Sequence, residues 1–243
     1  MTLAGTERIH PADAAACAGA VAQSAAASRT LRIRGAGTKD YLGDVLPTDA
    51  LLDTTALAGV VAHVPADLTV TVAAGTRFAD LRVALARAGQ FLPLDPPHAD
   101  TATIGGIVAA NSTGFWRARY GGVRDLLIGT ITVLGDGTIA RSGGRVVKNV
   151  AGYDLNKLFV GSLGTLGVIV ECTFKVLPRP PVSAGAHAHF ARSADAFAAA
   201  DAIVRTSARP AALAISGGRG GAWELLLLAD GDAAPVGRTL DLL

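Results

Sequence analysis

Between Thr30 and Ala73 the apolar residues fall in short β-branched runs, each cut off by glycine, proline or aspartate. The run TLRIR, residues 30–34, predicts a strand that leads directly into the glycine-rich turn RGAGTKDYLG. Residues 59–64 and 68–73 predict two more strands, joined by a tight turn at Pro65-Ala66-Asp67. The period then changes. Phe78, Leu81, Leu85 and Ala88 recur at helical spacing and predict an amphipathic helix stopped by Gly89. Upstream, Pro11 at a first-turn position and the alanine-rich run over 12–27 predict a helix ending near Ser28.

Further along, residues 126–134 and 138–140 flank Gly135-Asp136-Gly137, which predicts a hairpin. A short helix is expected over 153–159 and a strand over 165–176, followed by a linker at Pro178-Arg179-Pro180-Pro181. Beyond it the order is strand (187–190), helix (193–206), strand (211–215) and strand (223–228), the first part of a ferredoxin-like α+β sandwich. A further helix is beginning at GRTLDLL. The last 63 residues, 181–243, therefore read as a partial, truncated domain with an open sheet edge for a partner or further chain to cover.

Composition narrows the function classes. With 243 residues, half of them hydrophobic and 17% charged, the chain can bury a core and is neither disordered nor fibrous. No apolar run approaches the roughly 18 residues of a membrane-spanning helix. The start shows no basic segment followed by an apolar stretch, so a cytoplasmic protein is expected. A net charge of +2 and 5% aromatic residues argue against a nucleic-acid partner. Cys17 and Cys172 stand alone and read as buried thiols; neither a zinc ribbon nor an iron–sulfur cluster can be built from them.

Three glycine-bearing segments could carry chemistry. The first, Gly35 to Lys39, follows a strand as a dinucleotide fingerprint does, but the third glycine position falls on Asp40, which would obstruct helix–strand packing. No P-loop motif occurs anywhere in the chain. What remains is either an ordinary turn or a nest of backbone N–H groups able to hold a pyrophosphate, with Thr38 and Lys39 beside it. The second segment, Thr101 to Gly106, sets hydroxyl residues before two glycines at a helix start, where free N–H groups attract phosphate. Its alternative is a helix packed closely through small residues. The third, residues 146–171, carries Gly152, Gly161, Gly164 and Gly167, with Tyr153 either a core aromatic or a ligand contact.

In order and spacing, IRGAGTKDYLG, then DPPHADTATIGGIVAANSTG with RYGGVRDLLIG, then GGRVVKNVAGYDLNKLFVGSLGTLGVI resemble the FAD-binding domain of the vanillyl-alcohol oxidase/p-cresol methylhydroxylase (PCMH) flavoprotein superfamily. The resemblance covers residues 32–181 and is nearest to FAD-binding subunits of bacterial glycolate oxidases. It implies an α+β fold: a two-lobed PCMH-type FAD-binding domain over 1–180, then the partial ferredoxin-like cap over 181–243. Carried over by position, Gly35, Ala36, Gly37, Thr38 and Lys39 would cradle the pyrophosphate. Thr103, Ile104, Gly105 and Gly106 would follow the ribityl and phosphate portion, Ser112 and Gly114 would lie near the flavin, and Val168 and Ile169 would offer backbone contacts. Ala36 stands where many members have glycine; if that position needs positive φ, alanine costs about 1 kcal/mol. The first loop lacks the histidine that often anchors covalent flavin, so noncovalent FAD is expected.

The resemblance further implies an FAD-dependent oxidoreductase acting on CH–OH groups. The chain would be one subunit of a complex oxidising glycolate, a 2-hydroxy acid, to glyoxylate, either cytoplasmic or peripheral at the inner membrane through that complex. Its implied partners are a larger FAD-containing catalytic subunit and an iron–sulfur subunit. A self-sufficient FAD-dependent oxidase and a structural subunit without its own chemistry remain open. No catalytic set is evident: Arg117, Arg119 and Arg124 are a basic cluster or a solvated loop, and His98 is a candidate flavin neighbour. His187 and His189 share a strand face, but no third ligand is evident, so no metal site is expected.

Overall fold

The computed structural model describes residues 6–44, 46–144, 154–217 and 221–243. In chain order the elements are β1 (Glu7–Ile9), α1 (Ala14–Ala26), β2 (Leu31–Arg34), β3 (Ala50–Asp53), β4 (Val60–Val64), β5 (Thr69–Ala73), α2 (Phe78–Ala86), β6 (Gln90–Phe91) and α3 (Ile104–Ala109). They continue with α4 (Arg117–Tyr120), α5 (Val123–Leu126), β7 (Leu127–Val133), β8 (Ile139–Gly143), β9 (Val168–Lys175), β10 (Leu177–Pro178), β11 (Val182–Phe190), α6 (Ser193–Val204), β12 (Ala212–Gly217), β13 (Trp223–Gly231) and α7 (Ala233–Leu240). The chain forms two compact units. One comprises Met1–Leu92, Pro96–Thr113 and Gly122–Pro178; the other comprises Pro93–Asp95, Gly114–Gly121 and Arg179–Leu243.

The first unit has two lobes. In one, β1 and β2 flank β3 in a parallel sheet. In the other, five antiparallel strands run in the order β4-β5-β9-β7-β8. Helix α1 presents Cys17, Val21 and Ser24 on its buried stripe. Cys17 and Val21 meet Leu52 of β3, Val133 of β7 and Val168 and Val170 of β9, so one core ties both sheets to the helix. As expected, both cysteines are buried free thiols, and burial raises the Cys17 pKa to about 11 and that of Cys172 further. The helix starts later than Pro11 suggested: Asp13 is its N-cap, accepting from Ala16 N–H at 2.7 Å.

The hairpin over β4 and β5 forms around a 3-10 turn at Pro65–Asp67, and the β7–β8 hairpin also forms where expected. Ala88 does not join the α2 stripe, because the helix ends at Ala86 and Ala88 is exposed. The expected 153–159 helix is a 3-10 turn over Leu155–Leu158, held by Asn156 N–H on Ser142 Oγ at 2.9 Å and Asn156 Nδ2 on the Leu127 carbonyl at 3.1 Å. Gly152 and Tyr153 lie outside the described residues.

In the second unit β13 lies between β11 and β12, both antiparallel to it, with α6 and α7 packed on the sheet. Strand order 11-13-12 with a crossover helix is the order of the first three strands of a ferredoxin-like sandwich. Ile203, Leu225 and Leu227 form its core, with Phe190, Leu213, Ile215 and Leu240 against them. Among the described residues, no helix is long and apolar enough to cross a membrane.

Candidate functional site

In the first unit a cleft of about 370 Å³ opens where the end of β2, the start of α3 and the turn before β9 converge. Gly35, Ala36, Gly37, Thr38 and Lys39 line it from one side, Thr103, Gly105 and Gly106 from another, and Gly164, Gly167 and Ile169 from a third. Three segments far apart in sequence thus share one concave surface.

The first segment leaves β2 as an irregular turn and no helix follows it, so a Rossmann arrangement is absent here. Gly37 has φ +73°, whereas Ala36 is not among the residues with positive φ, so alanine carries no backbone strain there. The N–H groups of Ala36, Gly37, Thr38 and Lys39 donate to no protein acceptor among the described residues. Asp40 has a different role from the one its position suggested. Its carboxylate bridges Arg34 (2.8 Å) and Arg32 (3.3 Å), pinning the turn to β2. Lys39 Nζ donates to the Pro97 carbonyl at 3.1 Å, and partial burial lowers its pKa.

At the second segment the free donors are fewer than the sequence implied. Ile104 N–H donates to Thr76 O at 2.9 Å and Gly105 N–H to Ala74 O at 2.7 Å, so the turn that follows β5 already occupies both groups. Ile104 is buried and does not line the cleft. Gly105 is glycine for packing, since a Cβ there would stand 2.8 Å from the Ala74 Cβ. Gly106 N–H and the Thr103 hydroxyl, by contrast, have no protein partner among the described residues. A Cβ on Gly35 would come within 2.2 Å of Thr103 Oγ1, so the first loop and this helix start are nearly in contact.

The third segment is anchored to α3. Gly161 N–H donates to Val108 O at 3.0 Å and Leu163 N–H to Ala109 O at 2.8 Å. Gly161, Gly164 and Gly167 all have positive φ, which accounts for their regular recurrence as a backbone requirement. Ile169 reaches the cleft, whereas Val168 points into the core against α1.

Ser112 and Gly114 part company. Ser112 is buried in the first unit, its N–H on Ile107 O at 2.9 Å, and does not line the cleft. Gly114 belongs to the second unit, where its N–H donates to Asp95 Oδ1 at 3.0 Å. The arginine cluster is also divided: Arg124 donates to the Lys157 carbonyl in the first unit, and Arg119 to the Arg209 carbonyl in the second. His98 is an exposed turn residue with φ +59°, its carbonyl accepting from Thr101 and Ala102 N–H. Sequence reasoning did not point to Thr48, whose buried Oγ1 lines the cleft and lacks a partner among the described residues. Nothing in its surrounding sequence marks it.

A cleft presenting loop N–H groups, one helix-start N–H and several threonine hydroxyls suits an anionic ligand with many acceptor oxygens. The pyrophosphate and ribityl portions of FAD have that character, and the unpartnered Thr48 and Thr103 hydroxyls fit it.

The profile of the FAD binding domain family matches residues 8–143. Glycolate oxidase subunit GlcE of Escherichia coli (strain K12) is 46% identical over 154 residues, 63% of this chain and 44% of that protein. Glycolate oxidase subunit GlcD of Bacillus subtilis (strain 168) is 46% identical over 114 residues, 47% of this chain and 24% of that protein. A solved structure of alkyldihydroxyacetonephosphate synthase matches with a TM-score of 0.82 at 18% identity, covering 97% of this chain and 49% of that one, a likeness of fold. The chain spans less than half the length of each of these proteins.

Proposed function

Because the chain belongs to the FAD binding domain family, we propose that it is the FAD-binding subunit of a complex that oxidises glycolate, a 2-hydroxy acid, to glyoxylate. Residues 1–180 form the flavin domain in this reading and 181–243 part of the cap. The observation that carries it is the set of unpartnered donors around one cleft, on a chain 46% identical over 154 residues to a glycolate oxidase subunit.

Ala36, Gly37, Thr38 and Lys39 would hold the FAD pyrophosphate through backbone N–H groups, with Gly35 allowing the loop to approach Thr103. Thr103 and Gly106 would donate to the phosphate or ribityl oxygens, and Ile169 would offer backbone contact. Ile104, Gly105 and Val168 would support these from behind and Ser112 would brace the end of α3, whereas Gly114, in the second unit, takes no part in this site. When bound, FAD supplies a two-electron acceptor for the hydroxy acid that can hand electrons on singly. A larger FAD-containing subunit would carry the substrate site and an iron–sulfur subunit would take the electrons, since Cys17 and Cys172 are both buried and cannot ligate a cluster. The complex would be cytoplasmic or peripheral at the inner membrane.

The purified chain, reconstituted with FAD and desalted, is expected to retain flavin, which acid precipitation should release intact because no covalent bond holds it. Glycolate should bleach the flavin only when the partner subunits are present. Failure to retain FAD overturns the cofactor site, and bleaching of the isolated chain would instead make it a self-sufficient oxidase.

A further inference from the structure

We infer that His187, His189 and Glu224 form a binding site for a divalent transition-metal ion of the zinc class on the sheet of the second unit. The sequence offered two histidines and no third ligand; the fold supplies one. Alternation along β11 puts His187 and His189 on the same face, opposite Ala186 and Ala188, which are less exposed. Antiparallel pairing with β13 sets Glu224 directly across from His189, with Leu226 across from His187. The three side chains thus gather from one strand position and its two nearest neighbours on that face.

Their ligand atoms all lie within 4.8 Å of one another. His187 Nδ1 is 2.7 Å from Glu224 Oε1, and the two imidazole rings stand 5.2 Å apart at 73°. Zinc binds imidazole nitrogen and carboxylate oxygen at about 2.0–2.2 Å, which sets tetrahedral ligands roughly 3.3 Å from each other. With both backbones fixed by the ladder of a three-stranded sheet, the remaining distance is left to side-chain rotation. The hydrogen bond between His187 and Glu224 is replaced by two bonds to the ion, and the proton it held passes to solvent.

The donor set selects the class of ion. Two imidazoles and one carboxylate match zinc and its neighbours, whereas calcium and magnesium need more oxygen ligands. His187 and Glu224 are 60% and 33% exposed, so the ion has access and would keep at least one coordination position open to water. Three protein ligands with an open fourth position is the arrangement of a reactive zinc centre more than of a closed structural one.

The test is calorimetric titration of the purified, chelator-washed chain with zinc chloride, which does not depend on whether flavin is bound. One equivalent of zinc should bind to the parent chain, and His187→Gln, His189→Gln and Glu224→Gln should each weaken it tenfold or more. His63→Gln, a histidine elsewhere in the chain, should leave it unchanged. Zinc should also raise the unfolding temperature of the parent and not of the His187→Gln/His189→Gln variant, whose own cooperative unfolding without zinc, close to that of the parent, shows that a folded variant was compared. No zinc uptake by the parent, or equal uptake by the double variant, overturns the site. Loss with either histidine but not with Glu224→Gln overturns the three-ligand assignment.

Discussion

Gly35 passes so close to Thr103 that a Cβ on it would stand 2.2 Å from the Thr103 Oγ1, while the next nearest atom, the Thr103 Cβ, would be at 3.4 Å. The clash is therefore with a single hydroxyl oxygen. Gly35→Ala should lower stability by about 1–3 kcal/mol through overpacking and reduce FAD retention, as the loop is pushed off α3. Thr103→Ala alone should leave the fold intact and weaken FAD, because it removes an unpartnered hydroxyl from the cleft. The double variant should regain most of the stability lost by Gly35→Ala without regaining FAD. Thermal unfolding and flavin content of the four proteins complete the cycle; equal stability loss in single and double variants would show that the contact is not the cause.

Adjacent glycines at the start of α3 should respond oppositely. A Cβ on Gly105 meets the Ala74 Cβ at 2.8 Å and its carbonyl at 3.2 Å, and Ala74 is itself held by its N–H on Val170 O of β9, so Gly105→Ala should destabilise the chain with or without flavin. On Gly106 a Cβ meets only Thr103 Oγ1, at 3.1 Å, and otherwise enters the cleft. Gly106→Val should fold with little loss and fail to retain FAD. Comparing unfolding temperatures of the flavin-free proteins separates packing from binding.

How far these roles could be read from sequence depends on the residue. The loop at Gly35 to Lys39, the β4–β5 hairpin and the glycine triplet before β9 announce themselves because turns require particular residue types. Strand β3 does not: Ala50, Leu51, Leu52 and Asp53 are all buried, so as the central strand of a parallel sheet it shows no alternation in four residues. The donors of Ile104 and Gly105 looked free because the acceptors that occupy them, Thr76 and Ala74, lie some 30 residues upstream. Thr48 and Glu224 stayed hidden for the same reason. Each matters through a neighbour brought to it by the fold, and local pattern carries no record of that.

Asp95 is a residue whose weight appears only in three dimensions. Its carboxylate accepts from Gly114 N–H at 3.0 Å, Phe115 N–H at 2.7 Å and Trp116 N–H at 3.3 Å, fixing the turn that opens α4. Asp95→Ala removes the acceptor of the Gly114 and Phe115 N–H groups and should destabilise the second unit by about 1–3 kcal/mol. Gly114→Ala should do likewise, since its Cβ would lie 2.3 Å from the Asp95 carbonyl oxygen. Hydrogen exchange at residues 114–116 would locate the effect; unchanged protection there would refute it.

Tyr120 gives the second unit a stability that depends on alkaline pH. Its hydroxyl donates to Asp230 Oδ2 at 3.0 Å, and burial, then the Asp230 hydrogen bond and charge, raise its pKa above the ordinary 10.0, against a smaller opposing effect of Arg119. The fold thus favours the protonated phenol. The stabilisation is complete below the ordinary tyrosine value and disappears as pH rises through the raised one. Ionising the phenol breaks its donation to Oδ2 and sets it against the buried Asp230 carboxylate, whose Oδ1 has no partner among the described residues. Tyr120→Phe should therefore be less stable than the parent at neutral pH and lose less as the pH rises through and above the ordinary tyrosine value. Unfolding temperature against pH for the two proteins tests this directly: parallel curves through that window would mean that the Tyr120 proton is not linked to folding.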